Sequence, residues 1–193
     1  TSVPADVTAA TGFDAFTHAF ESYLGGRTSP LTKQMSFQAI ELVIENLPKA
    51  IKEPNNIKYR TQLAWADTLA GMCLSNGGAD LPHPLGEIIG GICPRIAHGE
   101  TLAMVYPSFL EYKKNIAPDK FKEIAVFLGL KKDPSELSSK IIELLNITDL
   151  SNACKRAELT QEEKNEILTH PLLTKLEPKN SDKIVSIMKK SII

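Results

Sequence analysis

The chain has 193 residues, of which 42% are hydrophobic, so it is long enough to bury a substantial core. Its 22 lysines and arginines nearly balance its 23 aspartates and glutamates, which argues against a nucleic acid or an anionic membrane surface as a partner. Neither a run of roughly 18 apolar residues nor a basic, apolar leader occurs, so neither a membrane span nor a secretion signal is predicted.

Apolar residues at helical spacing predict three long helices in the first part of the chain, without an intervening strand. The first runs from Thr11 to Leu24. The second runs from Leu31 to Leu47, where Pro48 is expected to break the helix or begin another turn. The third runs from about Ile57 to Leu74 and ends at a glycine pair, and its Trp65 is predicted to pack in the core.

Glycines and prolines from Ala79 to Gly99 predict a short helix and a loop. Another helix is predicted from His98 to Tyr112, with a kink or an end at Pro107. Short amphipathic helices are predicted near Lys120–Leu128, Pro134–Leu145, Thr160–Leu168 and Ser181–Ile192. No alternation of period two indicates a sheet, so the predicted fold is all-α. Neither GxGxxG nor GxxxxGK[ST] occurs, so no phosphate-binding loop is expected in this chain.

Asp14 and His18 are four residues apart in the first predicted helix, so both side chains project from one face. By itself this spacing is more typical of a surface ion pair. His83 and His98, however, flank the glycine-rich stretch, and three imidazoles with one carboxylate form a ligand set that suits Fe(II), Zn(II) or Ni(II). The sequence therefore predicts a metal site formed by Asp14, His18, His83 and His98.

The three cysteines are far apart and lack CxxC spacing; they are Cys73, Cys93 and Cys154. This pattern indicates a reducing compartment, for which we expect the cytoplasm, rather than a disulfide framework or a thiolate zinc site.

Two stretches carry a family resemblance. TGFDAFTHAFESYLG, which begins at Thr11, resembles the motif that opens the helical domain of the iron-containing (group III) alcohol dehydrogenases. HPLG at His83, followed by AHGETLAMVYPSFLEY, resembles their second signature, and HPLLT at His170 fits more loosely. The resemblance implies an N-terminal α/β domain that holds NAD(P) and a C-terminal all-α domain that holds the metal in the cleft between them. Residues 1–193 are then expected to be a single helical metal-binding domain of a longer polypeptide, inactive without the nucleotide-binding domain.

The resemblance also implies the ligands. It assigns the metal to Asp14, His18 and His98, together with a histidine four residues before the HPLG histidine. That position is Ala79 here. His83 then either replaces the missing ligand or lies near the nicotinamide and substrate as the catalytic residue for proton transfer or substrate orientation.

The implied function is that of an NAD(P)-dependent alcohol or aldehyde oxidoreductase. Its Fe(II) or Zn(II) would polarise the oxygen of a small alcohol or aldehyde during hydride transfer. The alternatives are a noncatalytic scaffold or assembly domain and a glycerol dehydrogenase-like enzyme domain, and a homodimer stays open. Glu21, Asp80 and Glu100 lie beside the motifs. We interpret them as solvated charges or helix-dipole partners, with the orientation of a ligand imidazole as the alternative.

Overall fold

A computed structural model describes all residues from 1 to 193, and they form ten α-helices and no β-strand. The first five helices are α1 (Ala5–Leu24), α2 (Pro30–Lys52), α3 (Ile57–Gly77), α4 (Pro82–Ile92) and α5 (His98–Ile116). The others are α6 (Pro118–Phe127), α7 (Pro134–Ile147), α8 (Ala153–Ala157), α9 (Gln161–Thr169) and α10 (Ser181–Ser191). The all-α prediction is confirmed. None of these helices combines the length and the apolarity that a membrane crossing requires.

Two prolines lie inside helices that they were expected to interrupt. α2 continues past Pro48 to Lys52, and α5 continues past Pro107 to Ile116, so of the alternatives predicted at these prolines, the end of the helix does not occur. A proline removes one main-chain hydrogen bond, but the turns that follow it are held by the core. Ala50 in α2 and Phe109 in α5 are both fully buried.

α1 lies at the centre of the fold, packed against α2, α3 and α5. Phe13, Phe16 and Phe20 repeat along one face of α1, and each is fully buried. The ring of Phe13 meets Tyr106 of α5 edge to face at 5.0 Å between centroids, and Phe20 meets Phe121 of α6 at 5.5 Å. Burying each such ring stabilises the fold by roughly 1.5–3 kcal/mol, so this stack fixes the rotation of α1.

Trp65 contradicts the prediction that it packs in the core, because 46% of its surface is exposed. α3 buries only one face, through Ala66, Leu69, Ala70 and Cys73. At about 100° per residue around the axis, Trp65 lies roughly 90° from the centre of that face, so it falls at the margin of the buried surface.

Candidate metal centre

Three helices bring the predicted ligands together. Asp14 and His18 lie on α1, His83 is the second residue of α4, and His98 is the first residue of α5. Because the phenylalanine face of α1 is anchored in the core, positions 14 and 18 are directed toward the starts of α4 and α5.

The imidazoles of the three histidines surround the Oδ1 atom of Asp14. This atom lies 3.4 Å from Nε2 of His18, 3.6 Å from Nε2 of His83 and 3.8 Å from Nε2 of His98. Ligand atoms of Asp14, His83 and His98 all lie within 4.8 Å of one another. The imidazole of His18 stacks on that of His83, with ring centroids 4.7 Å apart.

Two atoms of this cluster indicate what it can bind. Oδ1 of Asp14 and Nε2 of His83 are buried, and neither has a hydrogen-bond partner. Leaving a buried polar atom unsatisfied costs about 1–3 kcal/mol, and a cation held by both atoms would remove that cost. The mixed nitrogen and oxygen donors suit Fe(II) or Zn(II), so the residues fit a divalent metal.

The electrostatics of Asp14 and His18 favour the protonation states that bind metal. Burial by itself would raise the pKa of Asp14, but the surrounding imidazoles outweigh burial and hold that pKa below its ordinary value. Burial lowers the pKa of His18. Asp14 is therefore ionised and His18 neutral at neutral pH, as metal binding requires.

In the absence of metal, the surroundings of His83 favour its protonated form, which does not bind metal. Burial lowers its pKa, but the neighbouring carboxylates of Asp14 and Glu21 outweigh burial and raise it to about 10. A metal ion that binds Nε2 of His83 must therefore displace a proton.

Ala79 lies exposed in the loop between α3 and α4, and its methyl side chain offers no ligand atom. His83 follows the same loop in the first turn of α4, and its side chain is only 8% exposed. The structure thus places His83, rather than position 79, against Asp14 and His98.

The interpretation of Glu21 as a solvated charge is wrong, because its side chain is fully buried. Its Oε2 lies 2.9 Å from Nδ1 of His83. The sequence did contain a signal for this contact, since position 21 lies seven residues after Asp14 on the same helical face. Asp80 and Glu100 contact no candidate ligand through their carboxylates, which pair with Lys113 and Arg156 instead.

A cavity of about 510 Å³ adjoins the cluster, and Asp14 and His98 form part of its wall. The first turns of α1 contribute Val7 and Thr11, and Arg156 also lines the cavity. The cluster therefore faces a space large enough for a small organic molecule.

The sequence from residue 8 to residue 192 matches the family model described as "Fe-containing alcohol dehydrogenase family, C-terminal". The chain belongs to the iron-containing alcohol dehydrogenase family. Within this family it is 38% identical over 130 residues to a 1,3-propanediol dehydrogenase from Citrobacter freundii, a match that covers 67% of this chain and 33% of that protein. It is 34% identical over 126 residues to an NAD-dependent methanol dehydrogenase from Bacillus methanolicus, covering 65% and 33% of the two chains.

Solved structures of iron-containing alcohol dehydrogenases share the fold. A 1,3-propanediol oxidoreductase superposes with a TM-score of 0.86 at 26% identity, over 98% of this chain and 53% of that one. A sulfoacetaldehyde reductase from Bifidobacterium kashiwanohense, solved in complex with NAD⁺, superposes with a TM-score of 0.84 at 24% identity, over 99% and 51%. The chain therefore spans about half the length of these relatives.

Proposed function

We propose that the chain is the metal-binding part of a nicotinamide-dependent alcohol or aldehyde oxidoreductase. The observation that carries this proposal is the cluster around Oδ1 of Asp14, where this buried, unsatisfied oxygen and the buried, unsatisfied Nε2 of His83 lie beside the more exposed imidazole of His98. The family's enzymes are alcohol dehydrogenases by name. The cofactor domain is proposed to lie in the part of the relatives' length that this chain does not span.

Asp14, His18, His83 and His98 would hold a divalent metal, Fe(II) or Zn(II). When bound, the metal supplies Lewis-acid polarisation of the alcohol or carbonyl oxygen during hydride transfer to or from the nicotinamide. The chain's own contribution is to hold the ligands in place and to provide the adjoining cavity, in which a small alcohol or aldehyde is proposed to bind.

The geometry favours a ligand role for His83 over proton transfer. Its Nδ1 is engaged by Glu21, and its Nε2 faces Asp14. A histidine that exchanges protons with a substrate needs a nitrogen within hydrogen-bond reach of it, yet His83 does not line the cavity beside the cluster. We therefore propose His83 as the replacement for the ligand missing at Ala79.

Metal analysis of single variants tests the proposal. His18→Ala and His98→Ala are expected to lose stoichiometric metal, and His83→Ala is expected to lose it as well. His170→Ala is the matched control, because His170 ends α9 and lies outside the cluster. Stoichiometric metal in both His18→Ala and His98→Ala would place the site elsewhere.

Nucleotide binding tests whether cofactor binding needs the part of the relatives' length that this chain does not span, and turnover tests the scaffold alternative. The 193-residue chain by itself is expected not to bind NADH with submicromolar affinity, since it contains no βαβ unit and no dinucleotide fingerprint. Calorimetry measures this directly. In the full-length polypeptide, a scaffold domain would tolerate His98→Ala without loss of turnover, whereas the catalytic proposal requires turnover and metal to be lost together.

A further inference from the structure

Glu21 is a buried carboxylate that the ligand set does not include. It lies on α1 three residues after His18, so it projects from nearly the same helical face as the proposed ligands. Its side chain is fully buried. Burying a carboxylate without partners is costly, so its contacts indicate what it does.

One oxygen of Glu21 holds two groups from the start of α4. Oε2 lies 2.9 Å from Nδ1 of His83 and accepts a hydrogen bond of 2.8 Å from the backbone N–H of Asp80. Because Oε2 already accepts the N–H of Asp80, it serves His83 as an acceptor too, and Nδ1 of His83 carries the proton. The unprotonated position of the neutral ring is then Nε2, the atom that faces Asp14.

Asp80 fixes the same loop from its other side. Its Oδ1 accepts a hydrogen bond of 2.8 Å from the N–H of Leu81, and its Oδ2 lies 2.5 Å from Nζ of Lys113 on α5. Asp80, two residues before α4, is thereby tied to both α1 and α5. With this loop held, the side chain that enters the cluster is that of His83.

We propose that Glu21 is a positioning residue that fixes the ring orientation and tautomer of His83, and that it thereby sets the metal affinity of the cluster. This inference rests on the proposed metal site. It also accounts for the absence of a ligand at Ala79, because the contacts of Glu21 select His83 for that role. Carboxylates that orient ligand histidines in this way typically contribute about 10–100-fold to metal affinity.

The test compares Glu21→Leu, Glu21→Gln and Tyr106→Phe. Leucine removes the acceptor for both Nδ1 of His83 and the amide of Asp80. Glutamine keeps a neutral acceptor in the same place. Tyr106→Phe removes only the hydroxyl that lies 3.4 Å from Oε1 of Glu21, so it is the control for disturbing the same buried region.

Zn(II) affinity is measured by chelator competition across a pH series, together with the absorption spectrum of the Co(II) form. We expect Glu21→Leu to bind Zn(II) about 10–100-fold more weakly than the parent at the alkaline end of the series, where proton competition at His83 is smallest, and to alter the Co(II) spectrum. Glu21→Gln should recover most of the affinity and the spectrum. Equal affinities and spectra for Glu21→Leu and Tyr106→Phe would overturn the inference.

A measurement on the parent chain keeps the inference testable if Glu21→Leu does not fold. In NMR spectra of the chain loaded with ¹¹³Cd and labelled with ¹⁵N-histidine, we expect scalar coupling between the metal and Nε2 of His83. Coupling between the metal and Nδ1 of His83 would overturn the inference. The proposed function fails separately, if His18→Ala and His98→Ala both keep stoichiometric metal. Loss of metal in those variants, with coupling at Nδ1 of His83, would refute the role of Glu21 alone.

Discussion

The close crossing of α1 and α5 at Gly99 is the part of the site most sensitive to a single methyl group. A Cβ atom at Gly99 would lie 2.0 Å from the backbone oxygen of Ala10 and 2.5 Å from its carbonyl carbon. Side-chain carbons essentially never come closer than 3.0 Å to such atoms. Because close-packed backbone cannot yield as a side chain can, Gly99→Ala should move the two helices apart by about 1 Å.

That displacement acts directly on the metal site, since His98 precedes Gly99 and Asp14 lies one turn after Ala10. Overpacking of this kind costs roughly 1–3 kcal/mol of stability. Ligand distances in a working metal site tolerate only about 0.2 Å, so we expect metal affinity to fall at least about tenfold. The contact is with a main-chain oxygen, so a second substitution, Ala10→Gly, should not restore binding.

Urea unfolding followed by far-UV circular dichroism measures the stability change, and chelator competition with Zn(II) measures the affinity. The matched control is Gly91→Ala in α4, where a new Cβ meets nothing within 4 Å. Its stability should stay the same or rise by up to about 1 kcal/mol. If Gly99→Ala matched Gly91→Ala in both stability and Zn(II) affinity, the close crossing would not be what positions His98.

Three other predictions follow from side chains in and around the helical core. Nζ of Lys120 donates to three main-chain oxygens at the end of α1, at 2.8–3.1 Å, so Lys120→Met should lower the free energy of unfolding by about 1–2 kcal/mol. The surface control Lys122→Met should change it by less than about 0.5 kcal/mol in the same urea titration. The hydrogen bond from Arg95 holds the pKa of Glu163 down at about 2. A carboxyl group whose pKa is lower in the folded than in the unfolded chain stabilises the fold at pH values above its unfolded pKa, and this stabilisation is lost as the pH falls toward its folded pKa. The free energy of unfolding of Glu163→Gln should therefore change less than that of the parent between about pH 5 and pH 2. Because the pKa of His83 is raised to about 10, Zn(II) must displace a proton from this ring, and its affinity should rise with pH up to about that value. One displaced proton changes the affinity by at most about tenfold per pH unit. A Zn(II) affinity that does not depend on pH would contradict this prediction.

Local sequence patterns determined most of the helices. Apolar residues at helical spacing placed α1, α2, α3 and the later amphipathic helices, because a helix that packs on a core must present one apolar face. The same periodicity put Asp14 and His18 on one face. At Pro48 and Pro107 the sequence left open whether the helix ends, since local propensity weighs a lost hydrogen bond but not the core contacts made by the turns beyond it.

The tertiary structure decided how the parts of the site meet. Spacing along the chain could not choose between His83 as a ligand and His83 as a proton carrier, because that depends on which of its nitrogens meets Glu21. Helical spacing placed Glu21 on the ligand face but could not show that it is buried, since His83 at the start of α4 and Tyr106 of α5 lie against it only in the folded chain. The need for a residue without a Cβ atom at position 99 is likewise visible only at the contact with Ala10, 89 residues away in the chain. Periodicity reports which face of a helix is apolar, whereas a metal site depends on where the polar faces of different helices meet.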